Sequence, residues 1–292
     1  MRKAAVSLSL LFCACTGAAR TGTAPQVAAP VAAPSRPAAV PIDTLLARTP
    51  EEGTVILRLS VARQHPLGAR IEPFVLAWPG WSATLSSLIS QPLADLDWIE
   101  IVGPKEPAQE RLLMRTTVGD DILDARLKAR SDGSLRVVER VQSHLVTALP
   151  PDGAPAMVQT LSSSRVLEPD DGDPDEALFV DFPHPHGVML YVPEEARRAV
   201  VRVDSRPGGA AEGFADLTCD DDATASRMAD ALRARAESLN NLVVRLLTRD
   251  LLGGLVVTVE GPVVKLRLPA TSEQLESLAT LASARLPNMA KH

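Results

Sequence analysis

The strongest constraint on the fold lies in the last third of the chain, where two paired apolar alternations are each followed by a helical signal. Ala199 to Val203 and Gly213 to Cys219 alternate around Pro207-Gly208-Gly209, and Leu255 to Glu260 and Val263 to Leu268 alternate around Gly261-Pro262. Period-two runs joined by Gly and Pro are the pattern of antiparallel hairpins. After the first pair, Asp220-Asp221-Asp222 places acids where a helix has its positive end. Met228, Leu232, Ala236, Leu239, Val243 and Leu246 then recur every three or four residues, predicting one long helix ended by Gly253-Gly254. After the second pair, Thr271 and Gln274 have capping-box spacing, with Leu275, Leu278 and Leu281 on one face of a final helix. The expected unit is ββαββα. Residues 196–292 are assigned to it.

The front of the body, residues 51–195, has the same ingredients in less regular form. Strands are expected at Gly53 to Val61, Asp97 to Val102, Glu110 to Val118 and Leu135 to Val141. Helices are expected over Pro66 to Trp78, Ser82 to Ser90 and Asp120 to Arg130. In the middle, Leu145 to Leu149, Ala156 to Leu161, Leu178 to Phe182 and Val188 to Val192 read as short strands between linkers rich in Pro, Gly and Asp. The fold class is α+β, mainly antiparallel sheet flanked by helices. Both ends of the body have paired strands and helices, but no identity between them is strong enough to establish a duplication.

Residues 16–41 cannot join that body. They are Ala, Pro, Thr, Val and Gly with almost no charge, and prolines stand at 25, 30, 34, 37 and 41. Such a composition buries no core and is expected to form an extended, disordered tether. In front of it, Met1-Arg2-Lys3 carries two positive charges, and Ala4 to Phe12 is a short, mostly apolar run. That is an export signal, too short to span a bilayer as a helix. The run exits through Leu11-Phe12-Cys13-Ala14-Cys15-Thr16-Gly17, which resembles the bacterial lipobox. Cys15, preceded by small Ala14, is the expected lipidation site. Phe12 departs from the usual Leu. The competing readings are simple cleavage without acylation, or a cytoplasmic chain with a greasy start. The expected division is therefore 1–14 signal peptide, 15–50 lipidated cysteine and tether, then the body.

Composition limits what the body can do. Hydrophobic residues make up 46% of the 292 but aromatics only 3%, so the core is built from Leu, Val, Ile and Ala, and base-stacking platforms are scarce. A formal charge of −6 supplies no broad attraction to nucleic acid, which is not expected as a partner. Arg greatly outnumbers Lys, a codon signature of a high-GC genome. If Cys15 carries lipid, Cys219 is the one cysteine left in the mature chain, and it reads as a small core residue.

The opening strand, His65-Pro66-Leu67-Gly68-Ala69-Arg70, Pro79-Gly80-Trp81 and Asp95-Leu96-Asp97-Trp98 resemble a set of uncharacterised lipoproteins of high-GC bacteria, over residues 53 to 118. The resemblance implies an envelope address. It implies no activity and carries over no functional residues.

Few constellations point to chemistry. There is no Walker loop, dinucleotide fingerprint, HExxH helix or G-x-S-x-G elbow, and no cofactor is expected. The best metal candidate is Asp181, His184 and His186, because residues two apart on an extended segment share a side. The surface-loop reading stands beside it. Residues 168–176 hold six acids and begin like a calcium loop, but Glu176 stands where the turn glycine belongs and Phe182 where the last carboxylate belongs. His65, His144 and Ser162-Ser163-Ser164 read as structural, and Trp78 and Trp81 as helix-end anchors.

These features predict a non-enzymatic cell-envelope lipoprotein acting as an interaction or assembly module. Its expected partners are the membrane, through the anchor, and an envelope protein. The alternative is a carrier or sensor of a small apolar ligand or lipid, and a metal-dependent hydrolase ranks below both. Thr16, not Asp, follows the acceptor cysteine, which favours the periplasmic side of the outer membrane.

Overall fold

The computed structural model describes residues 46, 48–68, 70, 88–89, 91–103, 109–129, 136–163, 175–186 and 192–283. The signal, Cys15, most of the tether, Trp78, Trp81 and most of the acidic loop at 168–176 lie outside these residues. So do most of the helices expected at Pro66 to Trp78 and Ser82 to Ser90, and most of the strand expected at Val188 to Val192.

In chain order the described elements are β1 Thr54–Arg58, α1 Leu59–Gln64, α2 Pro92–Asp95, β2 Leu96–Val102, β3 Arg111–Thr116 and α3 Asp120–Ala129. Next come β4 Val137–Gln142, β5 Leu145–Leu149, α4 Ala154–Ser163, β6 Glu176–Pro183, β7 Arg198–Arg206 and β8 Ala210–Thr218. The chain continues through α5 Asp222–Leu239, α6 Leu242–Thr248, β9 Val256–Glu260, β10 Val263–Ala270 and α7 Ser272–Ser283. The ten described strands form one sheet in the order β4-β5-β3-β2-β1-β6-β7-β8-β10-β9, every pairing antiparallel. The class is α+β, with mainly antiparallel sheet and flanking helices.

That strand order contains a repeat. From the centre outward, the first half runs β1, β2, β3, β5, β4 and the second runs β6, β7, β8, β10, β9. Apart from α1 and α2, which stand between β1 and β2, and α6, which follows α5, each half reads βββαββα, with three residues between its third strand and the following helix (117–119 and 219–221) and a two-residue turn in its last hairpin (143–144 and 261–262). The halves meet through antiparallel β1 and β6, with Val55 opposite Val180 and Ile56 opposite Phe179. Antiparallel pairing at the joint relates them by an approximate twofold axis normal to the sheet. The divide falls between α4 and β6, ahead of residue 195. Strand order thus repeats where residue identity does not.

One sheet face is covered along most of its width. Leu59 of α1 and Leu123 of α3 pack there with Val55, Ile99, Ile101, Leu112, Met114, Val146, Val180, Phe182 and Val201. Farther along the same face, Ala225, Met228 and Ala229 of α5 pack on Ala199, Leu217 and Val264. The opposite face of the first half carries α4, whose Leu161, Met157 and Val158 meet Trp98, Val102, Leu113, Val141 and Leu145.

Three expectations need correction. The opening strand stops at Arg58, because Leu59 and Ala62 turn inward on a short helix. Ala156 to Leu161 belongs to a helix: Met157, Val158 and Leu161 fit the helical period as well as any strand, and Gly153-Ala154-Pro155 suits a helix start. The long helix is two helices. Asn240 closes α5 and extended Asn241 opens α6, its side chain accepting from the Val244 amide at 3.1 Å. Asn at a cap competes well with helix continuation, and an apolar count every three or four residues does not register such a break. The capping box of α7 is present, with Thr271 N–H donating to Gln274 Oε1 at 2.9 Å and Gln274 N–H to Thr271 Oγ1 at 3.3 Å.

Candidate interaction surface

The residues proposed for metal binding take separate partners. Asp181 is buried on β6 and accepts from Arg198 Nε and Nη2 at 2.8 and 2.7 Å, with Arg48 Nη1 at 2.9 Å. Burial alone would raise the Asp181 pKa, but the two guanidiniums outweigh it and hold the carboxyl below its usual range. β6 ends at Pro183, and His184 adopts a left-handed φ of 50°, so the strand alternation that would have placed both imidazoles together stops there. His184 Nε2 lies 3.4 Å from Glu51 and His186 Nε2 3.3 Å from Glu194. Among the described residues, no group of three His, Cys, Asp or Glu is placed to hold one metal ion.

Other titratable residues are tied into the scaffold. Cys219 is buried with Sγ 3.8 Å from Met228 Sδ, and desolvation together with Glu195, Asp220 and Asp221 raises its pKa, which opposes thiolate chemistry. His144, at φ 60°, sits in the β4–β5 turn, where its amide donates to Asp120 Oδ1 at 2.9 Å. Ser162 and Ser163 end α4. His65 Nδ1 accepts from the Leu67 amide at 3.2 Å, and Gly68 sits so close to Ala62 that an added Cβ would lie 2.2 Å from its carbonyl oxygen. Acids at one end of the strands are also spoken for: Arg206 Nη2 reaches Asp204 at 3.0 Å and Glu212 at 2.9 Å, and Arg267 also pairs with Glu212. An open groove of about 340 Å³ between α3 and β4 is lined by Asp124, Leu127, Lys128, Val138, Glu139 and Arg140. The Asp124–Arg140 pair at 2.7 Å spans its wall, which suits neither an apolar ligand nor a free catalytic acid.

Among the described residues, exposed large aliphatics gather on α6. Its sequence, LVVRLLT, contains no acid. Val244 and Thr248, one turn apart, are buried and hold it to the body, and Thr248 Oγ1 donates to the Val244 carbonyl at 2.7 Å. Because α6 begins afresh at Asn241, its remaining aliphatics face outward: Leu242 is 71% exposed, Val243 63%, Leu246 72% and Leu247 48%. Val256, where β9 begins, is 42% exposed. Leu242, Val243, Leu246 and Leu247 fall on one side of the helix and give it an exposed apolar face. The helix is firmly placed. Arg249 and Asp250 both take left-handed conformations, φ 51° and 59°, which cost non-glycine residues about 1 kcal/mol or more each. Arg245 holds Asp250 through contacts at 3.0 and 3.3 Å, Arg249 pairs with Glu273, and the Arg249 carbonyl accepts from Gln274 Nε2 at 2.9 Å.

The repeat shows what α6 adds. In the first half, residues 130–136 connect α3 to β4. In the second, residues 240–255 connect α5 to β9 and contain α6 and a 3₁₀ turn, Leu251–Gly254. The sheet does not need that insertion to close. Sequence reading missed the surface because it assigned Val243 and Leu246 to a buried stripe. The signal was present in Asn240-Asn241, a cap pair interrupting that stripe.

No protein-family model matches the chain, and no curated protein matches it. Among solved structures, crystal forms III, I and IV of TP0453 resemble it at 11%, 12% and 11% identity, with TM-scores of 0.40, 0.37 and 0.40. They cover 80%, 80% and 77% of this chain and 94%, 93% and 91% of theirs. A likeness this loose carries neither family nor activity across.

Proposed function

We propose that the chain is a cell-envelope lipoprotein, anchored through Cys15 on the periplasmic side of the outer membrane, whose body is a non-enzymatic interaction module. One observation carries the interaction reading: α6, an insertion beyond the repeated frame, leaves four aliphatic side chains in solvent while Val244 and Thr248 fix it in place. Burying such surface is worth about 25 cal/mol per Å², so solvent is not its resting place. The address is supported by the charged and apolar leader, Cys15 with Ala14 before it, and the Pro-rich stretch that follows. Among the described residues, no helix is long and apolar enough to cross a membrane. The enclosed apolar pocket that a ligand carrier requires finds no support in the charged, open α3–β4 groove.

The test is site-specific photocrosslinking in intact cells, with the probe at Leu246 and, as control, at exposed Glu139 on β4. The proposal expects reproducible adducts, to protein or to lipid, from Leu246 alone. Absence of any adduct at Leu246, or equal yields at both positions, contradicts it.

A further inference from the structure

We infer that β9 is a pairing edge for a second copy of this chain, joined antiparallel about Thr258 so that one sheet runs through both copies. The inference goes beyond the function proposed above and depends neither on the α6 surface nor on the lipid anchor. β4 and β9 end the sheet of described strands, and the two edges differ. An edge strand offers unpaired N–H and C=O groups, and charges and bulges are the usual means of blocking them. β4 has both: its register shifts between Arg140 and Gln142, and Glu139 and Arg140 stand exposed in its middle. β9 pairs with β10 without a shift, and its first four residues, Val256-Val257-Thr258-Val259, are β-branched and uncharged.

The register shows which groups are free. The two-residue turn at Gly261-Pro262 makes Glu260 and Val263 a hydrogen-bonded pair, so Thr258 and Val256 bond inward to β10 while Val257 and Val259 turn their backbone groups outward. Arg233 Nη2 donates to the Val257 carbonyl at 3.0 Å, as that outward direction requires. Its side chain is 46% exposed and the oxygen keeps a second lone pair, so Arg233 leaves the edge accessible. Antiparallel pairing centred on Thr258 sets Val257 of each copy opposite Val259 of the other and satisfies the outward N–H and C=O of both residues. On the exposed side it sets Thr258 against Thr258, a favourable cross-strand pair. Glu260, already paired with Lys265, falls opposite Val256, so no like charges meet. β4 lacks this self-complementarity, because centring on Glu139 or on Arg140 opposes like charges. A twofold contact uses up the same edge on both copies. With β4 blocked, assembly stops at a pair.

The experiment uses the chain beginning at residue 15 with Cys15→Ser, in which Cys219 is buried. Thr258→Cys places its two sulfurs beside the twofold axis, where opposed Cα atoms lie about 4.5 Å apart, within disulfide reach. Glu260→Cys is the control, because in this register its two copies lie roughly 14 Å apart along the strands. Under mild oxidation Thr258→Cys should form a covalent dimer at least tenfold faster than the control. T258K and T258E should each be monomeric, with circular dichroism like that of the parent, and tagged T258K should retain T258E from a mixture at least tenfold better than it retains untagged T258K. Equal crosslinking of the two cysteine variants, or no covalent dimer from Thr258→Cys, overturns the inference. So does equal retention of T258E and T258K. These outcomes leave the α6 reading untouched, because photocrosslinking at Leu246 reports a different surface.

Discussion

At the scale of single residues, the body is held by closed charges and tight contacts. Glu110 and Arg136 are both nearly buried and lie 3.1 Å apart, with Arg136 Nη1 also donating to the Glu110 carbonyl at 2.7 Å. Burial raises the Glu110 pKa and Arg136 opposes that rise. Arg136→Ala would strand the carboxylate and should cost about 3–5 kcal/mol in urea unfolding. Gly53 leaves no room for a methyl group, because an added Cβ would stand 2.1 Å from the Phe182 ring. Gly53→Ala should therefore destabilise by about 1–3 kcal/mol. Asp181 gives a pH dependence. Its folded pKa is lowered, so the stability from its guanidinium pairs is complete above the ordinary carboxylate range and is lost as pH falls through the folded value. Urea midpoints from neutral pH down to about 3 should fall less steeply in Asp181→Asn than in the parent. None of this was legible in the sequence: Asp181 read as a candidate ligand because its neighbours are histidines, while its partners, Arg198 and Arg48, are remote along the chain.

Elements were legible where local chemistry decides them. The two-residue turn at Gly261-Pro262, the acids before α5 and the Thr271–Gln274 box are short-range devices, and each is found where the residues predict it. α4 was misread because six residues of mixed polarity fit both periods, and only contact with Trp98 and Leu113 decides between them. The α5–α6 break was misread because apolar periodicity continues through it in number but not in direction. Asn241 sets that direction. Asn241→Ala should remove about 1 kcal/mol from the local stability of α6, and hydrogen exchange of the Val244 to Thr248 amides should quicken roughly fivefold while the core of α5 is unchanged. Uniform quickening through α5 and α6 would mean that the two behave as one helix.

At the scale of the molecule, two βββαββα halves share a single sheet through β1 and β6, and one apolar cluster runs across the joint from Val55 to Phe182 and Val201. Unfolding one half would expose the other, so the halves should melt together. The three tryptophans, at 78, 81 and 98, all lie in the first half. Fluorescence should report that half while circular dichroism reports both, and their urea midpoints should coincide. Phe182→Ala should lower both by an amount equivalent to about 3–5 kcal/mol. Two separated midpoints would contradict a shared core. The repeat itself was hidden because its marks are strand order and connection length, which pairing reveals and residue identity does not. To this frame α6 adds an exposed apolar side, and the lipoprotein proposal adds a leader that ends at Ala14, just before Cys15. The account joins them as anchor and contact, so its most direct test is the intact mass of the amino-terminal peptide from the native cell-envelope protein. The account predicts a peptide beginning at Cys15 and heavier by a diacylglyceryl group, with or without a further acyl chain. A peptide that still begins at Met1, or a Cys15 with a free thiol, would contradict it.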